Sequence, residues 1–191
     1  GEEYTLVAVA DYVLKHTPGN TVSNLSSSRA LKDVTEAYGQ QYHAAAVGEV
    51  NVVAEMKRTH SVIGGEGNGG VIYPESHYGR DALVGVGLFL SHYVAQSKKM
   101  TELKSTYPQY FISKNKMTLS PDMDVDKILE GLKERYATEK VTDIDGVKID
   151  FAQGWVHLRK SNTEPIIRIY SEAKDEAAAN QLAEEVIAAA K

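Results

Sequence analysis

The chain contains no cysteine, which excludes disulfide cross-links, thiolate catalysis and any zinc site built on cysteine ligands. No apolar run approaches about 18 residues, so nothing reads as a membrane-spanning helix, and no charged-then-apolar leader opens the chain. Basic charge is in short supply: 21 Lys and Arg stand against 26 Asp and Glu. The resulting net charge of −5 argues against a general binder of nucleic acid or anionic membranes. The six histidines are scattered without the H-E-x-x-H spacing of a dedicated zinc site. DMDVD (122–126) starts like a calcium loop. Its sixth position is Lys127 where the turn needs glycine, however, and its twelfth is Lys133 where a bidentate Glu is needed. These aspartates suit the positive end of a helix instead. The simplest expectation is a cytoplasmic protein, and the composition is ordinary, with 191 residues, 42% of them hydrophobic and 25% charged. That length accommodates one large domain or two small ones. GEEYTLVAVADYVLKH lacks an initiator Met and enters an amphipathic helix at once, with Leu6, Val9, Val13 and Leu14 on one stripe. The expectation is a piece of a longer protein.

What is present falls into two patterns. From residue 20 to 100, strands and helices alternate. TVSNL, QYHAAAV and SVIG read as strands; the segments beginning SSSRALKDV, GEVNVVAEM and DALVGVGLF read as helices. Such alternation predicts a three-layer α/β/α domain with a mainly parallel mixed sheet, placed at residues 1–106. KSTYPQYFISKNK (104–116) has no period and reads as a linker running into an edge strand. Beyond it come a helix (DVDKILEGLKERYA), a hairpin turning on Asp145-Gly146, two strands (GWVHLRK and IIRIYSEA) and a closing helix. Successive strands predict a smaller α+β domain at 107–191, its antiparallel sheet flanked by helices.

Two loops carry chemistry. The first is GGEGNGG (64–70), with five glycines in seven residues. From Gly65 to Gly70 it matches G-x-G-x-x-G, but the strand-like VIY and then Pro74 follow where a dinucleotide site requires a helix. No acid stands about 20 residues on to hold a ribose, so the match is formal. The run does leave a strand at its carboxyl end, where ligands of α/β sheets collect. Glu66 and Asn68 alternate with glycines and can point into one space. A carboxylate that accepts and an amide that donates and accepts suit vicinal hydroxyls. The alternative is a tight turn with solvated polar residues, which does not need so many glycines.

The second loop is RKSNTEPIIR (159–168). Strand alternation puts Trp155, His157 and Arg159 on one face and Val156 and Leu158 toward the core. Arg159, Ser161, Asn162, Thr163 and Arg168 gather two guanidinium groups, two hydroxyls and an amide around one turn. That set suits a phosphate dianion. A turn whose polar residues only cap their own backbone needs no flanking arginines.

In this order and on these two domain types, GGEGNGG and RKSNTEP resemble the sugar loop and the phosphate loop of the α-D-phosphohexomutases. The phosphoglucomutase/phosphomannomutases and the phosphoglucosamine mutases belong to that family. The resemblance spans essentially all 191 residues and corresponds to the third and fourth of the family's four domains. It implies a reversible phosphoryl transfer between O1 and O6 of a hexose phosphate through a bisphosphorylated sugar. It further implies that Glu66, Asn68 and, from the VGEVN loop, Glu49 hold the sugar. Arg159, Ser161, Asn162, Thr163 and Arg168 would hold the non-reacting phosphate. The family's phosphoserine loop and its Mg2+ loop belong to the first two domains and do not occur here. The fragment is therefore expected to bind no Mg2+ of its own, to need the missing N-terminal domains as partners, and to be inactive alone. Two positions depart from the family pattern: Gly70, where many members carry His, and Arg80-Asp81-Ala82, where Asp-Gly is frequent. A reading of another class is a non-catalytic phosphosugar-binding module.

Overall fold

Seven residues of the opening helix, α1 (Glu2–His16), are buried: Leu6, Val7, Ala8, Val9, Ala10, Val13 and Leu14. That is more than the single stripe its sequence suggests, because α2 (Ala30–Ala37), α4 (Ala82–Gln96) and a strand all pack on it. The structure is a computed structural model that describes residues 2–120, 123–161 and 164–190. Its chain forms two units, 1–109 and 110–191.

In the first unit, β1 (Thr21–Asn24), β2 (Tyr42–Ala45), β3 (Ile63–Glu66) and β4 (Gly70–Ile72) form a sheet ordered β2-β1-β3-β4. β1 runs parallel to β2 and β3, and β4 returns antiparallel along β3. One face belongs to α3 (Glu49–Thr59), whose Val52 and Met56 pack with Val22, Ala45 and Ile72. The other face meets α1, α2 and α4. Thr21 shares a hydroxyl hydrogen bond of 2.7 Å with Thr35 of α2. Val71 lies against Gly85 of α4, where an added Cβ would approach it to 3.2 Å. Three layers around a mixed, mainly parallel sheet result, as the strand–helix alternation predicts.

Two elements are too short to be bounded by period, although VIY (71–73) already reads as strand-like. β4 has three residues, and α5 (Met100–Ser105) has six. Neither is long enough to display a period. The stretch read as a linker also begins packed. Tyr107 is buried, donating to Asp11 Oδ2 at 3.1 Å and lying 2.6 Å from His92 Nε2. Tyr4 donates to the Pro108 carbonyl at 2.7 Å. Aromatic hydroxyls, invisible to a hydropathy pattern, tie this segment to α1. Burial in the same cluster holds His92 below the usual histidine range. In contrast, α4 carries no Asp, Glu, Lys or Arg, yet Leu83, Val86, Leu90 and Val94 are exposed along it.

The second unit is a five-stranded sheet ordered β5-β9-β8-β7-β6, every neighbouring pair antiparallel. Its strands are β5 (Phe111–Thr118), β6 (Lys140–Thr142), β7 (Val147–Asp150), β8 (Gly154–Lys160) and β9 (Ile166–Ala173). Helices α6 (Val125–Arg135) and α7 (Glu176–Ala189) supply Leu132, Leu182 and Val186 to a core with Ile149, Val156, Leu158, Ile167 and Ile169. Asp175 caps α7 by accepting from Ala178 N at 2.9 Å. In the β6–β7 hairpin Gly146 takes φ 66°, a left-handed conformation that suits glycine in such a turn. The opposite face of β8 is buried as well. Trp155 donates to Glu172 Oε1 at 2.7 Å, and His157 Nε2 bonds the Asp145 carbonyl at 2.7 Å. Burial, more than any neighbouring charge, lowers His157 to about 4. Among the described residues no helix is long and apolar enough to cross a membrane.

Candidate functional site

The parallel strands of the first unit deliver three loops to their carboxyl ends, and a polar network joins them. Glu66 closes β3 and is almost wholly buried. Its Oε1 accepts from Asn24 Nδ2, at the end of β1, at 2.8 Å and from Gly48 N, after β2, at 3.2 Å. Its Oε2 accepts from Arg80 Nη1 at 3.2 Å. Burying a carboxylate is tolerable only with such partners, and each comes from a different segment. Asn24 is fixed in turn, its Oδ1 accepting from Ser26 N at 3.0 Å and Ser27 Oγ at 3.0 Å. Ser27 Oγ then accepts from Gly67 N at 2.9 Å, stitching the glycine run to β1.

Glu49 stands at the first position of α3, where a carboxylate favours the helix dipole. It accepts from Arg80 N at 2.8 Å and from Arg80 Nε at 2.9 Å. Chiefly through the Arg80 backbone N–H, and then through its guanidinium, Glu49 is held below the usual carboxylate range. Arg80 therefore bridges Glu49 and Glu66. Asn68 is exposed at the tip of the β3–β4 turn, its Oδ1 accepting from Gly70 N at 3.1 Å. Gly69 beside it takes φ 91°, which gives the turn its sharpness. Behind the rim, Asp81 caps α4 through Leu83 N and Val84 N and lies 3.0 Å from His77 Nε2.

Sequence reading singled out Glu66, Asn68 and Glu49, and the structure gathers the two glutamates on one guanidinium. It did not give Asn24 a role, and it treated Arg80 only as a departure from a pattern. A signal for Asn24 was available: a polar residue ending a buried parallel strand faces the loops where ligands collect.

In the second unit the β8–β9 hairpin ends in the RKSNTEP turn. Ser161 N donates to the Ile166 carbonyl at 3.0 Å, and Leu119 N to the Pro165 carbonyl at 3.0 Å, so the turn is anchored on both sides. Arg159 and Arg168 are register partners, and Lys116 on β5 is the partner of Arg168 on its other side. Side chains directly opposite on antiparallel strands share a face about 5 Å apart at Cβ, and like charges so placed repel. Three cations thus stand in a row across three strands. Glu164 accepts from Arg168 Nη2 at 3.0 Å; among the described residues no carboxylate pairs with Arg159. Ser161 is buried beside this row. Asn162 and Thr163 lie outside the described residues. A row of cations next to a hydroxyl is an arrangement that a dianion would relieve.

Two family models match the chain. "Phosphoglucomutase/phosphomannomutase, alpha/beta/alpha domain III" covers residues 2–110, and "Phosphoglucomutase/phosphomannomutase, C-terminal domain" covers 114–189. A phosphoglucomutase/phosphomannomutase of Thermococcus kodakarensis is 37% identical over 183 residues, spanning 94% of this chain and 40% of the relative. A phosphoglucosamine/phosphogalactosamine mutase of Sulfurisphaera tokodaii is 36% identical over 167 residues, spanning 86% and 37%. The solved structure of a phosphoglucomutase/phosphomannomutase family protein from Burkholderia thailandensis has the same fold. Its TM-score is 0.80 at 22% identity, covering 98% of this chain and 40% of that one. The chain therefore spans about 40% of the length of the relatives it matches.

Proposed function

The chain belongs to the phosphoglucomutase/phosphomannomutase family, and on that premise we propose that it is the C-terminal part of a phosphohexomutase interconverting hexose 1-phosphates and 6-phosphates. In this reading the first unit supplies the sugar-binding residues Glu66, Asn68 and Glu49. The second supplies the phosphate-binding residues Arg159, Ser161, Asn162, Thr163 and Arg168. The observation that carries it is the in-register row Lys116, Arg168 and Arg159 beside the RKSNTEP turn, a concentration of positive charge on a chain whose net charge is −5.

The chemistry follows from what these groups can do. Carboxylates accept hydrogen bonds from ring hydroxyls, and Asn68 can donate or accept, so they orient the sugar. Guanidinium groups hold the phosphate that is not being transferred. Binding energy from that remote group then serves to place the reacting oxygen. Two charge-assisted arginine contacts contribute about 1.5–3 kcal/mol each, against an association cost of several kcal/mol, so this chain should bind a phosphosugar at roughly millimolar strength.

Phosphoryl transfer in this reading also requires a phosphoserine and Mg2+, which neutralises charge on the transferring group. Among the described residues no cluster of three or more His, Asp or Glu could hold a metal ion. The proposal assigns both parts to the rest of a longer protein and routes no step through the metal here. Amino-sugar phosphates are the alternative substrates, favoured by relatives that carry the name phosphoglucosamine mutase.

Amide NMR titration of the 191-residue chain with glucose 6-phosphate and with inorganic phosphate tests the reading. Both should perturb Arg159, Ser161 and Arg168, and only the phosphosugar should also perturb Glu66 and Asn68. Silence at the RKSNTEP turn up to tens of millimolar would sink it. The chain alone should convert no glucose 1-phosphate, and measurable turnover would contradict the division of labour.

A further inference from the structure

A glycine and an arginine next to the sugar loop form one device. The β3–β4 pairing sets Gly70 directly opposite Glu66, and a bridge between Ile72 and Arg80 brings the Arg80 backbone beside β4. To reach Glu66 the Arg80 side chain runs over Gly70. A Cβ at Gly70 would stand 2.6 Å from Arg80 Cδ and 3.3 Å from Cγ, with Asn68 Oδ1 at 3.2 Å. Under about 3 Å something must shift, and here the obstructed atom is the middle of the arginine stem. Gly70 does not take a left-handed φ, unlike Gly69. Its backbone therefore makes no demand for glycine, and what the missing side chain supplies is clearance.

Arg80 makes three donations to two carboxylates: from its guanidinium, Nη1 to Glu66 at 3.2 Å and Nε to Glu49 at 2.9 Å, and from its backbone N to Glu49 at 2.8 Å. Among the described residues neither carboxylate makes an ion pair with any other cation. Without the guanidinium they would face a common space as like charges, with Glu66 buried. A guanidinium spans two acceptors because its N–H groups are fixed in a planar fork; an ammonium on a flexible stem cannot reproduce that spacing. Arg80 Nη2 has no protein partner among the described residues, and the side chain is 45% exposed, so one face of the fork remains open.

We propose that Arg80 is a positioning residue that presets Glu49 and Glu66 as a pair of acceptors for vicinal hydroxyls, and that Gly70 is bare so that its stem can pass. This rests on the sugar-binding role assigned to Glu66 above.

The test has a ligand-free arm and a ligand arm, both on the 191-residue chain. In the first, the Glu49 side-chain carboxyl is followed by NMR through an acid titration. Arg80 and His77 are the cationic partners that act on Glu49. Arg80→Met should raise the Glu49 midpoint part of the way to its ordinary value, since the residue 80 backbone N–H remains. Gly70→Ala should do the same by evicting the arginine, and the double variant should go no further than Arg80→Met. Arg80→Lys, keeping the charge without the fork, should fall between. An unmoved Glu49 in Arg80→Met, or additive shifts in the double variant, would overturn the device.

In the second arm, Arg80→Met and Gly70→Ala should each weaken glucose 6-phosphate about tenfold, on the order of one charge-assisted contact, and leave inorganic phosphate unchanged. If wild type prefers glucose 6-phosphate to phosphate and Arg80→Met keeps that preference, the role of Arg80 in the site is wrong. If wild type shows no preference, the sugar-binding reading of the loop fails, while the Glu49 titration still decides whether Arg80 positions it.

Discussion

The two units treat their charged loops differently. At the carboxyl edge of the first sheet the acids find partners within the fold: Glu66 and Glu49 share Arg80, and Asp81 has His77. At the end of the β8–β9 hairpin the cations stand beside one another, Lys116, Arg168 and Arg159 in register, and Glu164 answers only one of them. The first arrangement is internally compensated and, in the proposed reading, orients neutral hydroxyls. The second holds unspent attraction for an anion. Specificity and affinity are therefore expected to reside in different halves of the chain.

The largest expected effect probes whether the halves are separate at all. In Gly65→Ala the new Cβ would lie 2.0 Å from the Gly70 carbonyl oxygen, so the β3–β4 hairpin must open. A loss of roughly 3 kcal/mol or more is expected in the first unit. The chain's one tryptophan, Trp155, lies in the second unit, so its fluorescence should report an almost unchanged urea transition while circular dichroism shows an earlier one. Equal movement of both signals would mean the two regions unfold as one.

Acid comes next. His157 is neutral in the fold, with its value lowered to about 4 from 6.5, so the unfolded chain takes up the proton first. The stability it contributes is present above pH 6.5 and is lost as the pH falls from 6.5 toward 4, by roughly 3 kcal/mol at most. In the first unit burial displaces His92 in the same direction, but Asp11 beside it opposes the shift. The second unit should therefore weaken more between pH 7 and 4.5. His157→Gln should flatten that dependence in Trp155-monitored unfolding, and an unaltered slope would refute the assignment.

The smallest effects sharpen the contrast in charge. Arg159→Met should weaken inorganic phosphate about tenfold, the worth of one charge-assisted contact. Glu164→Gln should instead strengthen it, by about two- to threefold, because an exposed pair of this kind is worth only a few tenths of a kcal/mol to 1 kcal/mol and its loss frees Arg168. Isothermal titration with phosphate distinguishes the signs. A weakened Glu164→Gln would show that the glutamate supports the turn and does not compete for the arginine.

Much of this was legible in the residues. The longer strands and helices announced themselves by period, the second half by its Asp145-Gly146 turn, and both loops by composition. Glu66 and Asn68 stood out because only glycines surround them, and Arg159 and Arg168 because they flank one polar turn. What stayed hidden was short or distant. α5 is too brief to repeat. Asn24 reaches Glu66 from 42 residues away, and Arg80 from 14. The exposed apolar side of α4 contradicts what a wholly uncharged helix suggests, since composition reports what a residue can bury against and says nothing of what is there.

By itself the sequence determined the order of strands and helices, the two sheet types and the places where polar loops leave the strands. Periodicity and turn chemistry are local, and neighbouring residues suffice to set them. Only the tertiary structure decided that one guanidinium joins two loops, that a bare Gly70 lets it through, and that three cations line up across three strands. Those are consequences of register and crossover, which bring together residues that no window of the sequence contains.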